Sequence, residues 1–155
     1  WRCDPRFPRA HAWERDQGMS QRVARMDIEQ LRAMLLVAPF HQWLGLEIAE
    51  LTDTELILKM QWRDEIVSNP MIGSAHGGII STLIDLTGLY AINALGGSAR
   101  ATADMRVDFH RPATSGPLYA IVRLIKLDRQ LSVAESRIED AEGRMVASGR
   151  GAYVR

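Results

Sequence analysis

The sequence predicts an α+β fold in which a curved, six-stranded antiparallel sheet wraps one long central helix, preceded by a short N-terminal helix. Three observations point there. Residues 77–95 are apolar at helical spacing on nearly every side, as in a buried helix. The segments on either side alternate apolar and polar residues with the period of a strand. Gly, Pro and Asp then cut the second half into four consecutive strands joined by short turns.

The first element, "DIEQLRAMLLVAPF", reads as a short amphipathic helix. Asp27 serves as its N-cap, Leu31, Met34 and Leu35 form the apolar stripe, and Pro39 follows the stop. "WLGLEIAELTD" and "ELILKMQW" read as two strands around a turn at residues 52–54. In the second, Leu56, Leu58, Met60 and Trp62 alternate with Glu55, Ile57, Lys59 and Gln61. "RDEIVSNPMIGSA" reads as a loop into the central helix. Beyond Gly96 and Gly97 the period returns to two: in "ATADMRVDFH", Ala103, Met105, Val107 and Phe109 share one face and Asp104, Arg106, Asp108 and His110 the other. "LYAIVRLIKLD", "LSVAESRIED" and "RMVASGRGAYV" complete the sheet, with hairpins at residues 128–130 and 141–143. A sheet around most of a helix demands apolar residues on most of its sides. A second subunit is the expected cover for the rest, so a homodimer is expected.

The whole chain bounds the reading. Its 155 residues, 46% hydrophobic and 25% charged, suit one globular domain at residues 27–155, after an extension at 1–26 expected to be poorly structured. Nineteen basic and nineteen acidic residues cancel. No global field recruits nucleic acid or an anionic membrane, and neither is an expected partner. The lone Cys3 forms no internal disulfide or multi-cysteine metal site and points to a reducing, cytoplasmic setting. The first residues have charges and prolines without the apolar run of a signal peptide. Met19 is a plausible natural start, and Cys3, His11 and Trp13 read as a surface tail. The long helix contains Ser81, Thr82, Asp85, Thr87 and Asn93 and has neither aromatic belts nor basic clusters at its ends, which argues against a membrane span.

Asp85 is the one Asp, Glu, Lys or Arg between Glu65 and Arg100. A carboxylate buried without partners is very costly, so it pairs, shifts its pKa or faces a wet cleft. No Lys or Arg lies within helical reach. A helix Asp bonded to a neighbouring subunit is one reading. The other begins at His76-Gly77-Gly78, upstream at the start of the same helix. Glycines there admit close approach, and free N–H groups suit a developing negative oxygen. A polarised carbonyl at one end and a carboxylate about two turns on describe an acyl-transfer site. His-Gly-Gly alone is often only a tight turn; its conjunction with Asp85 is what carries weight.

"NPMIGSAHGGIISTLIDLTGLYAINA" followed by "ADMRVDFHRPA" resembles the hotdog-fold acyl-CoA thioesterases, in particular the phenylacetate-degradation (PaaI-type) branch. The resemblance covers roughly residues 39–155. It implies the hotdog fold, dimers with two sites at the subunit interface often paired into tetramers, and hydrolysis of an acyl-CoA without metal or resident cofactor, coenzyme A being part of the substrate. By position, Asp85 matches the family's general base or nucleophile, acting on substrate held largely by the other subunit. Gly77 matches the N–H that polarises the thioester carbonyl, with Gly78 beside it in the substrate-binding turn. His76 matches the motif histidine that orients the site, Asn69 the loop Asn near the thioester, and Thr102 the Ser or Thr that positions water.

Two departures stand out. Six residues separate Asn69 from His76, one more than in several relatives, which leaves the reach of Asn69 open. The family's Y-x-R-P appears as Phe109-His110-Arg111-Pro112, keeping Arg111 either to meet the phosphates of coenzyme A or as a solvated turn residue. His41 and His110 read as structural or solvent-facing. Asp104, Arg106 and Asp108 read as the outer face of a strand, and Met60, Met71 and Met105 as lining the core or an acyl tunnel. Rival readings are a hydratase or dehydratase of thioesters on the same fold and a non-catalytic acyl-CoA-binding module. Acyl-chain specificity does not follow from one chain.

Overall fold

A computed structural model describes residues 25–155; the surface-tail expectation for Cys3, His11 and Trp13 lies outside them. Helix α1 (Ile28–Leu35) starts at Asp27, whose carboxylate accepts from Gln30 N–H while the Gln30 side chain accepts from Asp27 N–H. The expected strand after Pro39 begins later than its sequence suggests, because Pro39 opens a second helix, α2 (Pro39–Leu44). Proline fits a first helical position, and Gly45 ends the helix at φ 63°, where a side chain is disfavoured.

Strands β1 (Leu46–Leu51) and β2 (Glu55–Met60) follow as expected, with Leu56, Leu58 and Met60 buried. The segment expected as a plain loop is more ordered. It contains a 3₁₀ turn (Asp64–Ile66) and a small ladder of β3 (Val67–Asn69) and β4 (Ser74–Ala75). It is tied down by Ala75 N–H on Ala113 O at 2.9 Å and His76 N–H on Ile66 O at 2.7 Å. Strands this short show no periodicity for a sequence reading to find.

Helix α3 (Gly77–Ala94) is the axis of the molecule. Strands β5 (Ala101–Phe109), β6 (Leu118–Lys126), β7 (Leu131–Glu139) and β8 (Met145–Val154) join the first two in one antiparallel sheet of order β1-β2-β6-β7-β8-β5. The α+β hotdog architecture is as predicted: six strands around a long helix, with a short helix at the N-terminal side. Ile80, Leu83, Ile84, Ala91 and Ile92 of α3 meet Leu118, Ala120, Ala134, Ile138 and Tyr153 of the sheet in the core. Four polar residues of the helix bond to its own carbonyls, Ser81 on Gly77, Thr82 on Gly78, Thr87 on Leu83 and Asn93 on Leu89, which lets them sit in an apolar setting. No helix among the described residues is long and apolar enough to cross a membrane.

The stripe of α3 away from the sheet, with Ile79, Leu86 and Leu89, is only half-buried. Strand β5 forms one edge of the sheet, and here the expected pattern fails. Ala103 is exposed, not inward, because the β5–β8 register slips between Thr102 and Asp104. Phe109 is 57% exposed, and Met71, expected in core or tunnel, is 94% exposed at the tip of the β3–β4 connection.

Candidate active site

The β-bulge at Ala103 is what builds the middle of the site. Strict alternation from Met105 and Val107 would turn Thr102 outward; one extra residue turns it toward α3. Thr102 Oγ1 then donates to Asp85 Oδ1 at 2.5 Å. Asp85 itself is half-buried, on the margin between the sheet-covered and half-open sides of the helix. A hydroxyl on one carboxylate oxygen orients the group without neutralising it.

Beneath Asp85 lies Tyr153 of β8, 1% exposed, whose hydroxyl donates to the Asp85 main-chain oxygen at 3.2 Å. Burial, and after it the charge of Asp85, push the Tyr153 phenol above its ordinary value, so it remains a donor throughout the range in which proteins work. The ring occupies space freed by two glycines: an added Cβ would stand 2.0 Å from the Tyr153 oxygen at Gly88 and 2.3 Å at Gly151. A mid-helix glycine costs about 1 kcal/mol relative to alanine, so Gly88 reflects this packing and not helix preference.

The N-terminal end of α3 is organised by His76. Its Nδ1 accepts from Gly78 N–H at 2.8 Å, which caps the helix and leaves the ring proton on Nε2. The Gly77 N–H occupies the first helical position, where the helix offers no acceptor. The Phe109 ring lies over Gly77, its tip 3.2 Å from where a Cβ would be. Beside them opens a cleft of about 380 Å³, lined by Gly77, Phe109, His110, Arg111, Ala113 and Val146 among others.

The predicted residues thus fall into two groups. Asp85 and Thr102 are in direct contact; Gly77 and Arg111 line one cleft, with His76 and Gly78 forming the cap next to it. Asn69 belongs to neither in this chain: it pairs with Ser74 in the small ladder, and its side-chain oxygen accepts from Met71 N–H at 3.1 Å. His41 is buried, with Nδ1 2.8 Å from Leu35 O and the ring edge-on to Tyr90. His110 Nε2 lies 2.8 Å from Ser148 Oγ on the exposed side of the sheet. Among the described residues no group of three or more His, Cys, Asp or Glu is placed to hold a metal ion. Sequence reasoning missed Tyr153. Its signal is Gly149-x-Gly151-x-Tyr153, two absent side chains and one large one on the same inward face.

Residues 72–147 match the model of a family described as the thioesterase superfamily. A candidate esterase of Halobacterium salinarum is 31% identical over 122 residues, covering 72% of this chain and 80% of the relative. Among solved structures, a protein from the thioesterase superfamily is similar at 38% identity and a TM-score of 0.79, over 82% of this chain and 96% of its own. The E. coli PaaI protein, from the phenylacetic acid degradation operon, is similar at 26% identity and a TM-score of 0.74, over 82% and 91% of the two chains.

Proposed function

Because this chain belongs to the thioesterase superfamily, we propose that it hydrolyses an acyl-CoA, aryl or fatty, to the free acid and coenzyme A. Asp85 activates the water and Gly77 N–H polarises the thioester carbonyl. The observation that carries this is the oriented carboxylate of Asp85, held by Thr102 on the margin of an otherwise uncharged helix.

In the proposed reaction the Asp85 oxygen not engaged by Thr102 takes a proton from water as the water oxygen attacks the carbonyl carbon. The C=O electrons move to the oxygen, and the oxyanion rests on Gly77 N–H. When the C=O re-forms, the C–S bond breaks and the departing thiolate takes the proton from Asp85. The acid and the CoA thiol leave, and neither a metal nor a resident cofactor is needed.

Gly77 and Asp85 are eight residues apart, about 12 Å along a helix axis. The first N–H groups of a helix also point out of its start, away from the helix body. A carbonyl bonded to Gly77 therefore lies on the far side from Asp85 of the same chain, beyond the span of a single water. The reading consequently places Gly77 of one subunit opposite Asp85 of another, in a homodimer, and such dimers pair into tetramers in the resembling family. The half-open stripe of Ile79, Leu86 and Leu89 supports such a neighbour. Arg111, at the cleft beside Gly77, is assigned to the coenzyme A phosphates, and the setting is the cytoplasm.

The test is a panel of acyl-CoAs assayed by thiol release, with phenylacetyl and fatty acyl groups both included because the PaaI relative comes from a phenylacetic acid operon. Asp85→Asn is expected to lower kcat by roughly a hundredfold or more. Activity of that variant within a few-fold of wild type would sink the role given to Asp85. Tight acyl-CoA binding without turnover by the wild type would identify a binding module instead.

A further inference from the structure

Three hydroxyls from three neighbouring strands converge on one turn of α3. Thr102 of β5 donates to the Asp85 carboxylate, Tyr153 of β8 to the Asp85 main-chain oxygen, and Ser136 of β7 to the Ile84 main-chain oxygen at 3.5 Å. β7, β8 and β5 are adjacent in the sheet, and Thr102 and Tyr153 face each other across the β5–β8 ladder. The main-chain oxygens at 84 and 85 are mid-helix and accept from N–H groups four residues on, so the helix does not need these donors. A buried phenol does need an acceptor, but meeting that need does not require opening both facing surfaces. Here Gly88 on the helix and Gly151 on the strand both give up a side chain to seat the Tyr153 oxygen at Asp85.

From this convergence we infer that Tyr153, assisted by Ser136, is a positioning residue for the hydrolytic step, locking the turn that carries Asp85 against sliding and rotation on the sheet. Apolar contacts are non-directional and tolerate small shifts of a helix, whereas hydrogen bonds weaken steeply with angle. A carboxylate that must meet a water and a carbonyl carbon tolerates about 0.5 Å of displacement. Thr102 fixes the side chain of Asp85, and Tyr153 fixes the backbone beneath it. The inference rests on the assignment of Asp85 made above.

Tyr153→Phe keeps the ring and removes only the donor. Its kcat is expected to fall about tenfold, with KM within about twofold and the protein still fully folded at the assay temperature. Introduced into Asp85→Asn, the same substitution should change the residual rate by less than about twofold, because a residue that acts through Asp85 has nothing left to act on. A wild-type kcat in Tyr153→Phe, or an equal fall in both backgrounds, overturns the inference and leaves Tyr153 a packing residue. Should Tyr153→Phe not fold, Ser136→Ala carries the question. It is expected to lower kcat about twofold to threefold with the same loss of effect in Asp85→Asn, and an unchanged kcat overturns the inference. If Asp85→Asn is itself as active as wild type, the assignment of Asp85 fails and the inference with it. An inactive Asp85→Asn beside a fully active Tyr153→Phe overturns the inference alone.

Discussion

Asp85 and Asp140 both lie in the folded body of the chain, yet their surroundings are opposite. Asp140, at the β7–β8 hairpin, accepts from the N–H groups of Glu142 and Arg144 and pairs with the Arg144 guanidinium at 2.7 Å. Among the described residues the Asp85 carboxylate accepts one side-chain hydroxyl, from Thr102. A carboxylate bonded on both oxygens is committed to holding a turn. One bonded on a single oxygen, at the margin of a half-open helix face, retains capacity for water. The investment around Asp85 goes instead into holding its backbone still, through glycines and a buried tyrosine.

The most forceful way to break this contrast is to fill the space beneath Asp85. In Gly88→Ala the new Cβ would stand 2.0 Å from the Tyr153 oxygen and 2.5 Å from its ring carbon, and Gly151 encloses the ring on the strand side. The overpacking should outweigh the better helix propensity of alanine and cost about 3 kcal/mol. Thermal unfolding is expected to show a midpoint lower by on the order of 10 °C. A midpoint equal to wild type would show that the ring can move aside and that the turn is not tightly seated.

Thr102→Val separates orientation from stability. It keeps the shape, removes the donor to Asp85, and should lower kcat about tenfold while changing stability by less than about 1 kcal/mol, since the carboxylate remains within reach of water. Acyl-CoA turnover and thermal unfolding measured on the same preparation check both halves. A loss of stability without loss of kcat would make Thr102 a structural strut.

Gly143, in the turn beside Asp140, tests glycine for a different reason. A Cβ there meets nothing within 4 Å, but its φ of 74° is one that side chains rarely adopt. Gly143→Ala is therefore expected to cost about 1 kcal/mol through backbone strain alone and to leave kcat unchanged. Comparing the unfolding midpoints of Gly88→Ala and Gly143→Ala distinguishes steric from conformational demand.

Much of this was legible in the sequence, for identifiable reasons. The central helix announced itself because a sheet around it forces apolar residues onto most sides, leaving Asp85 conspicuous. Strands β2 and β6 to β8 were legible because one face of each is buried, and β5, at the sheet edge, because its apolar residues alternate with charged ones. Helix α2 is hard to see in the sequence because a proline after one helix reads as punctuation when it equally opens the next, although Gly45 six residues on marks the matching end. The inward turn of Thr102 was hidden because a bulge breaks the period-2 rule at one residue, and nothing in "ATADM" signals the slip. Tyr153 was hidden because its role depends on two glycines, at 88 and 151, brought together only by folding.

The gentlest test concerns the hairpin carboxylate. Burial is the largest influence on Asp140 and pushes its pKa up. The N–H of Arg144, the guanidinium's hydrogen bond and charge, and the N–H of Glu142 together outweigh it, so the carboxyl titrates below its ordinary range. A carboxyl whose pKa is lower folded than unfolded stabilises the fold at pH values above its unfolded pKa, about 3.9 for Asp. That contribution is lost as the pH falls through the folded value. Wild type should therefore unfold at a higher temperature than Asp140→Asn at pH 6, and the gap should narrow steadily below about pH 4. Midpoints of the two proteins measured across pH 6 to pH 3 decide the matter. A gap that persists at the acid end would mean that the shape of the Asp140 turn, and not its charge, holds the hairpin, and the contrast with Asp85 would then rest on geometry alone.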